Sequence, residues 1–210
     1  MSNEVKTKEK VDMDPKYIVK LTVTLFATCV VVAGLLGLVN MVTEGPIADI
    51  NKANTETAMK AVVSDPDNTS FSEALEITGD MTAAASSAGA SVTEAYEVQV
   101  GGAPAGYALK IVSSGSQGNI EMMVGVDAEG VVTGVSIVKN SETAGIGSKV
   151  MANEPTAAGV GVLSQFVGKS AADGTLAVGT NVDAISGATV SSRGVTTGVN
   201  AALAVAGVMG

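Results

Sequence analysis

Four short runs in this chain combine residue types at spacings that could support chemistry, and each has a plainer reading beside it. Gly145-Ile146-Gly147-Ser148-Lys149-Val150 begins like a dinucleotide-binding fingerprint. Its sixth position is Val150, and no strand–helix–strand unit surrounds it, so a pyrophosphate cradle lacks its context. Ser136-Ile137-Val138-Lys139 has the spacing of a serine nucleophile and its lysine base. The run reads as a strand, where residues three apart face opposite ways, so the two side chains cannot pair. Glu121, Asp127 and Glu129 offer carboxylates for acid–base work. Asp127 and Glu129 flank a turn ending at Gly130, however, and turn carboxylates are ordinarily solvated. The fourth run, Asp183-Ala184-Ile185-Ser186-Gly187-Ala188-Thr189, followed by Val190-Ser191-Ser192, is a small-residue turn opening a helix. Ser186, Thr189 or Ser191 would serve there as an N-cap, the commonest use of such residues. The same turn leaves backbone N–H groups and the positive end of a helix dipole beside the Thr189 hydroxyl, which is a cradle for a phosphate.

Composition narrows what such a site could host. The 210 residues include no His and one Cys, which excludes His-dependent triads, disulfide frameworks, haem ligation, Cys-ligated iron–sulfur clusters and ordinary zinc sites. Redox chemistry would therefore rely on a cofactor held by other side chains. Glycine is abundant, 25 residues, without a Gly-X-Y period, so the chain is neither collagen-like nor low-complexity. Apolar residues make up 46% and aromatics only 3%, enough for one modest core.

The elements that must position the fourth run begin with a membrane anchor. Residues 21–43 carry no charge and are bounded by Lys20 and Glu44. At ~1.5 Å per residue such a run crosses a ~30 Å hydrocarbon core with some tilt. It is longer than the ~7–15-residue core of a signal peptide and ends in no small-x-small cleavage site. Cys29, preceded by Phe26-Ala27-Thr28, sits in a poor lipidation site and reads as an inert membrane residue. Lys6, Lys8, Lys10, Lys16 and Lys20 precede the run, and Glu44 and Asp49 follow it, so the positive-inside rule puts residues 1–20 in the cytoplasm and all after 43 outside. Residues 44–210 hold 7 basic and 17 acidic side chains, a net −10, which repels nucleic-acid phosphates and argues against nucleic-acid binding.

Beyond the span, residues 46–63 show helical spacing with Pro46 at a natural first-turn position. Residues 64–92 read as loop with a short helix near Glu73, making 44–92 a helix and linker. Residues 95–139 switch to a strand pattern. Runs 95–100, 107–113, 119–127 and 131–139 alternate with short Gly-bearing turns, an antiparallel meander. Short helices are expected over 154–169, an irregular or strand segment over 174–182 and a final helix over 191–208. The fold class is α+β: one transmembrane helix, then a single extracytoplasmic domain, 93–210, with the meander and flanking helices.

At three places the sequence resembles a known family. Residues 183–189 match the Asp-x-x-Ser/Thr-Gly-Ala-Thr pattern of FMN-binding domains, Glu142-Thr143-Ala144-Gly145-Ile146-Gly147 is similar to their Glu-Thr-Pro-Gly-Leu-Gly loop, and residues 106–130 are similar to their hairpin region. Together with the single N-terminal span, the likeness covers nearly the whole chain and is to the G subunits of Rnf ion-translocating electron-transport complexes. Two positions depart from the pattern: Ala144 replaces the usual Pro, and Asn140 stands where a His is frequent.

The resemblance implies covalent FMN, joined by phosphoester to Thr189 through a flavin transferase that recognises Asp183, Ser186, Gly187, Ala188 and Thr189. It also implies that Ser186, Gly187, Ala188 and Ser191 line the phosphate turn. Glu142, Thr143, Gly145 and Gly147 would approach the isoalloxazine, and Lys149 would balance phosphate or flavin charge. The partners implied are the other membrane components of a complex that couples ferredoxin and NAD electron transfer to Na⁺ or H⁺ movement, within the bilayer, with no metal site. The alternatives are the corresponding component of the sodium-pumping NADH:quinone reductase and a non-redox, membrane-anchored binding module in which the turn only caps a helix.

Overall fold

A computed structural model describes residues 14–210; Lys6, Lys8 and Lys10 of the expected cytoplasmic segment lie outside the described residues. The chain divides into two compact units, one ending at Ile50 and the other spanning Asn51–Gly210.

The first unit consists of the greater part of helix α1, Pro15–Ala61, whose start is fixed by the Lys16 N–H donating to Asp14 Oδ1 at 3.0 Å. From Tyr17 to Ile50 its large apolar side chains are exposed, Phe26 and Val42 each by 70%, and the helix is long and apolar enough to cross a membrane. The hydroxyls of Thr22, Thr24 and Thr43 donate to the carbonyls of Ile18, Lys20 and Val39 at 2.8–2.9 Å, so these polar groups are satisfied within the helix, as hydrocarbon requires. The helix expected to start at Pro46 is not a separate element, since α1 runs through Pro46. Proline holds φ near −65°, a helical value, so the helix continues through it at the cost of one ladder donor and of crowding against the carbonyl four residues back.

In the second unit, β1 (Thr69–Phe71), β2 (Ser91–Val100), β3 (Ala103–Ser114), β4 (Asn119–Asp127) and β5 (Val132–Lys139) form one antiparallel sheet in sequence order, which is the expected meander with one more strand. Alternation along the strands supplies two apolar faces. Leu109, Ile111, Ile120, Met122 and Val124, all fully buried, point to the face covered by α2 (Gly79–Ser87) and α4 (Thr189–Met209). Ala108, Met123 and Val98 point to the other face and pack with Ala58, Met59 and Val62 from the end of α1 and the turn after it. A bulge at Thr93, between the pairs Val92–Ile111 and Glu94–Lys110, lets Val92 and Ala95 share the first face although they are three residues apart.

The segment before the meander departs from expectation. The helix expected near Glu73 is α2 instead, opened by Thr78, whose hydroxyl accepts from the Met81 N–H at 3.3 Å. Residues around Glu73 are held extended beside β2, with the Ser72 and Leu75 N–H groups donating to the Glu97 and Ala95 carbonyls at 3.0 and 2.8 Å. Over 154–169 the helical content is one 3₁₀ turn, Leu163–Phe166, with a second at Ala171–Asp173. A short helix that the pattern did not signal, α3 (Gly147–Met151), follows the loop after β5. The final helix is present and begins at Thr189.

Helix α4 sits close to the sheet because glycine recurs on its inner face. A Cβ on Gly194 would lie 2.5 Å from the Ser114 carbonyl, and one on Gly198 would lie 2.6 Å from Met122 Sδ. This contact brings the N-terminus of α4 beside the turn that links β3 to β4.

Candidate functional site

The first turn of α4 and the loop after β5 are separated by more than forty residues and meet at a cleft of about 140 Å³. It is lined by Ser116, Glu142, Thr143, Ile146, Gly147 and the first residues of α4 with the turn before them, Gly187 to Ser191. Thus Glu142, Thr143, Gly147, Gly187, Ala188, Thr189 and Ser191 of the residues expected from sequence come together. Ser186, Gly145, Lys149 and Asp183 do not line the cleft.

The turn into α4 is built on Gly187, whose φ of +83° suits glycine and strains other residues. The Ala188 N–H closes it by donating to the Ile185 carbonyl at 2.9 Å. Ala188 is then the N-cap, and no side chain caps the helix, so neither Ser186, Thr189 nor Ser191 plays the capping role open to them from the sequence. The reason is tertiary. The Ser191 hydroxyl donates to Glu142 Oε2, and Ser191 is 1% exposed. Thr189 is half-buried at the first helical position, where the N–H groups of an uncapped first turn have no intrahelical acceptor.

Glu142 is held from two further sides. Its Oε1 accepts from the Ser116 N–H at 2.7 Å and the Gln117 N–H at 3.3 Å, and its own N–H donates to Asn140 Oδ1 at 3.1 Å. The Gly145 N–H donates to Ser148 Oγ at 2.8 Å, closing the loop onto α3. Lys149 lies half-exposed in α3. Ile146 and Val190 line the cleft and are half exposed, 49% and 53%, giving it an apolar rim.

Asp183 stands on the approach to the turn, exposed, with its backbone gripped by one side chain. Its N–H donates to Gln165 Oε1 at 2.7 Å, and its carbonyl accepts from Gln165 Nε2 at 3.0 Å. The sequence alone does not single out Gln165, Ser116, Ile146 or Val190. Ser116 belongs to a turn that reads as a plain hairpin connection, and nothing local marks Gln165 as the partner of a residue 18 positions away.

A separate polar network lies on the other sheet face. Lys110 pairs with Glu94 at 2.8 Å, and the Tyr96 hydroxyl donates to Glu94 Oε2 at 2.6 Å, beside a cavity of about 440 Å³ walled by the last turns of α1. Burial alone would raise the Glu94 carboxyl, but bonds from Lys110 and Tyr96 and the Lys110 charge outweigh it and hold it below its usual range. Burial, then the bond to Glu94 and its charge, pushes Tyr96 up to about 12.

Comparison with known proteins places both halves of the cleft in one family. Residues 115–204 match the FMN-binding domain family. The chain is 37% identical to the G subunit of the Na(+)-translocating ferredoxin:NAD(+) oxidoreductase complex of Acetobacterium woodii, over 96% of this chain and 97% of that protein. It is 31% identical to the G subunit of the ion-translocating oxidoreductase complex of Methanosarcina acetivorans, over 90% and 95%. It is 27% identical to the G subunit of the proton-translocating ferredoxin:NAD(+) oxidoreductase complex of Clostridium ljungdahlii, over 91% and 93%.

Proposed function

The chain belongs to the family of G subunits of ion-translocating oxidoreductase complexes, and from that premise we propose that it is an electron-transfer component carrying FMN covalently on Thr189. The observation that carries the reading is the cleft itself. The two motifs of the family resemblance, 142–147 and 183–189, converge there on an uncapped helix N-terminus whose first residue is a threonine.

The residues present fit the phosphate end of FMN. The first-turn N–H groups and the helix dipole favour an anion, and the Thr189 hydroxyl is placed to carry one. A cleft of about 140 Å³ is smaller than the ~300–1,000 Å³ of an enclosing small-molecule pocket, which suits the phosphate end and leaves the isoalloxazine at its mouth. Ile146 and Val190 supply apolar surface beside it. Bound FMN supplies one- and two-electron redox chemistry, and the chain holds and orients it.

Attachment requires a flavin transferase and FAD. The Thr189 hydroxyl would accept the FMN phosphoryl group of FAD, with AMP as the leaving group and the hydroxyl proton passing to a base of the transferase. Asp183 and the Ser186-Gly187-Ala188-Thr189 run form the recognition segment, which is exposed at Asp183, Ser186 and Gly187 as an enzyme substrate must be. Lys149, outside the cleft in α3, would offset phosphate or flavin charge only by moving toward it. Gly145 acts through the loop's shape and not by lining the cleft.

The span and its flanks support an N-terminus in the cytoplasm and an FMN domain on the outer side of the cell membrane, with the remaining components of the complex as neighbours. A helix cap as the sole role of residues 186–191 has lost its support, because α4 has no side-chain cap. The test is in-gel flavin fluorescence of the denatured full chain, co-expressed with the transferase, followed by peptide mapping. Fluorescence that maps to Thr189 and vanishes in Thr189→Ala is expected. Flavin persisting in Thr189→Ala would overturn the attachment site.

A further inference from the structure

We propose that Glu142 does not contact the flavin but acts as the positioning residue of the cleft: its carboxylate ties three separate pieces of backbone into one prebuilt rim. This rests on the FMN reading and deepens it, replacing an expected cofactor contact with a role in assembling the site.

The geometry suits a carboxylate, and an amide of the same length can reproduce it. One oxygen accepts two consecutive N–H groups, of Ser116 and Gln117, from the β3–β4 turn, and the other accepts the Ser191 hydroxyl from α4. The partners lie 26, 25 and 49 residues away, so no local motif arranges them. An acceptor-only group with two oxygens matches this set of three donors.

Room for the carboxylate is built in from both sides. A Cβ on Gly115 would collide with Glu142 Oε1, and one on Gly147 would collide with Glu142 Oε2 and lie 2.8 Å from Ser191 Oγ. A Cβ at either position would push the carboxylate away from the place where it makes these bonds. That gives Gly147, at the end of the 142–147 motif, a reason that involves no flavin contact.

The arrangement has a consequence for ligand binding. Glu142 engages the hydroxyl at the third helical position of α4, while the N-cap position is Ala188. The helix end is therefore anchored without a side chain bonding to its first-turn N–H groups, which stay available to an incoming anion. Preorganisation of this kind spares a ligand the cost of ordering the loop.

The test uses the full chain in nanodiscs. Without flavin, hydrogen–deuterium exchange is followed over 114–118 and 142–147 in wild type, Glu142→Ala, Glu142→Gln and Ser191→Ala. Glu142→Ala is expected to speed exchange in both segments by roughly tenfold or more while leaving β2 unchanged. Glu142→Gln is expected to restore most of the protection, because an amide oxygen still accepts and its NH₂ can donate to Ser191 Oγ. Transferase and FAD are then added, and initial flavinylation rates should fall in the order wild type, Gln, Ala, with Ala slower by about tenfold.

Unchanged exchange in Glu142→Ala, a Gln variant as impaired as Ala, or altered exchange with an unaltered flavinylation rate would each overturn the proposal. Should Glu142→Ala fail to fold, Ser191→Ala must still loosen 142–147, and unaltered exchange there overturns it. If wild type takes up no flavin while the exchange pattern holds, the Thr189 reading has failed and the positioning role stands.

Discussion

The Thr133 hydroxyl donates to the Val62 carbonyl at 2.6 Å, joining β5 to the turn that ends α1 across 71 positions of sequence. The contact is possible because Gly125 and Gly134 lie opposite one another on β4 and β5 and leave the sheet bare beneath Val62. A Cβ on Gly134 would sit 2.7 Å from Val62 Cα. Gly134→Ala is expected to destabilise the Asn51–Gly210 unit by about 1–3 kcal/mol through overpacking. Thr133→Val should cost about 1 kcal/mol through the lost hydrogen bond. Urea unfolding monitored by far-UV circular dichroism reads both, and a wild-type midpoint for Gly134→Ala would contradict the packing.

The Tyr96–Glu94–Lys110 network makes a pH prediction with two arms. Tyr96 titrates near 12 in the folded protein against an ordinary 10.0, so its contribution to stability is complete below pH 10 and lost as pH rises through 12. Glu94 is lowered from 4.5, so its contribution is present above that value and lost as pH falls through its folded pKa. Absorbance at 295 nm should show one of the chain's three tyrosines ionising late, and Glu94→Gln should bring that transition down. A late step left unmoved by Glu94→Gln would assign it elsewhere.

Gln165 should matter to flavin loading although it lies outside the cleft. Gln165→Ala removes both bonds to the Asp183 backbone, each worth about 0.5–1.5 kcal/mol, and frees the approach to the Gly187 turn. The expected result is slower flavinylation together with a loss of stability of up to about 1–3 kcal/mol for the two bonds. Wild-type loading would show that the transferase does not need Asp183 held.

A flavin on Thr189 should be open to solvent, because the cleft cannot enclose its ring. Iodide quenching of the loaded, isolated chain is expected to approach that of free FMN, and to fall when the rest of the complex is present. Full protection in the isolated chain would mean that it closes over the flavin.

Local pattern was enough for much of the architecture. The uncharged run over 21–43, the alternation with Gly-bearing turns over 95–139 and the helical spacing after Thr189 are properties of neighbouring residues, so the span, the meander and the last helix were legible before any contact was known. The turn at 186–189 was legible for the same reason, since small residues before a helical run mark a helix start. The edge strand β1 and the extended stretch at Ser72 to Leu75 were not, because they owe their conformation to hydrogen bonds with β2. Helix α2 was displaced from Glu73 on the same account.

How residues 183–192 are held was decided only in three dimensions. By itself the sequence determined an uncharged run long enough to cross a membrane, an acidic α+β domain without histidine and a threonine at a helix start, with capping and anion binding both open. Tertiary structure takes Ser191 out of the capping role by bringing Glu142 from the loop after β5 to within bonding distance of it. The physical reason is that a side-chain donor goes to the strongest acceptor that packing puts in reach, and a carboxylate 49 residues away leaves no trace in local spacing.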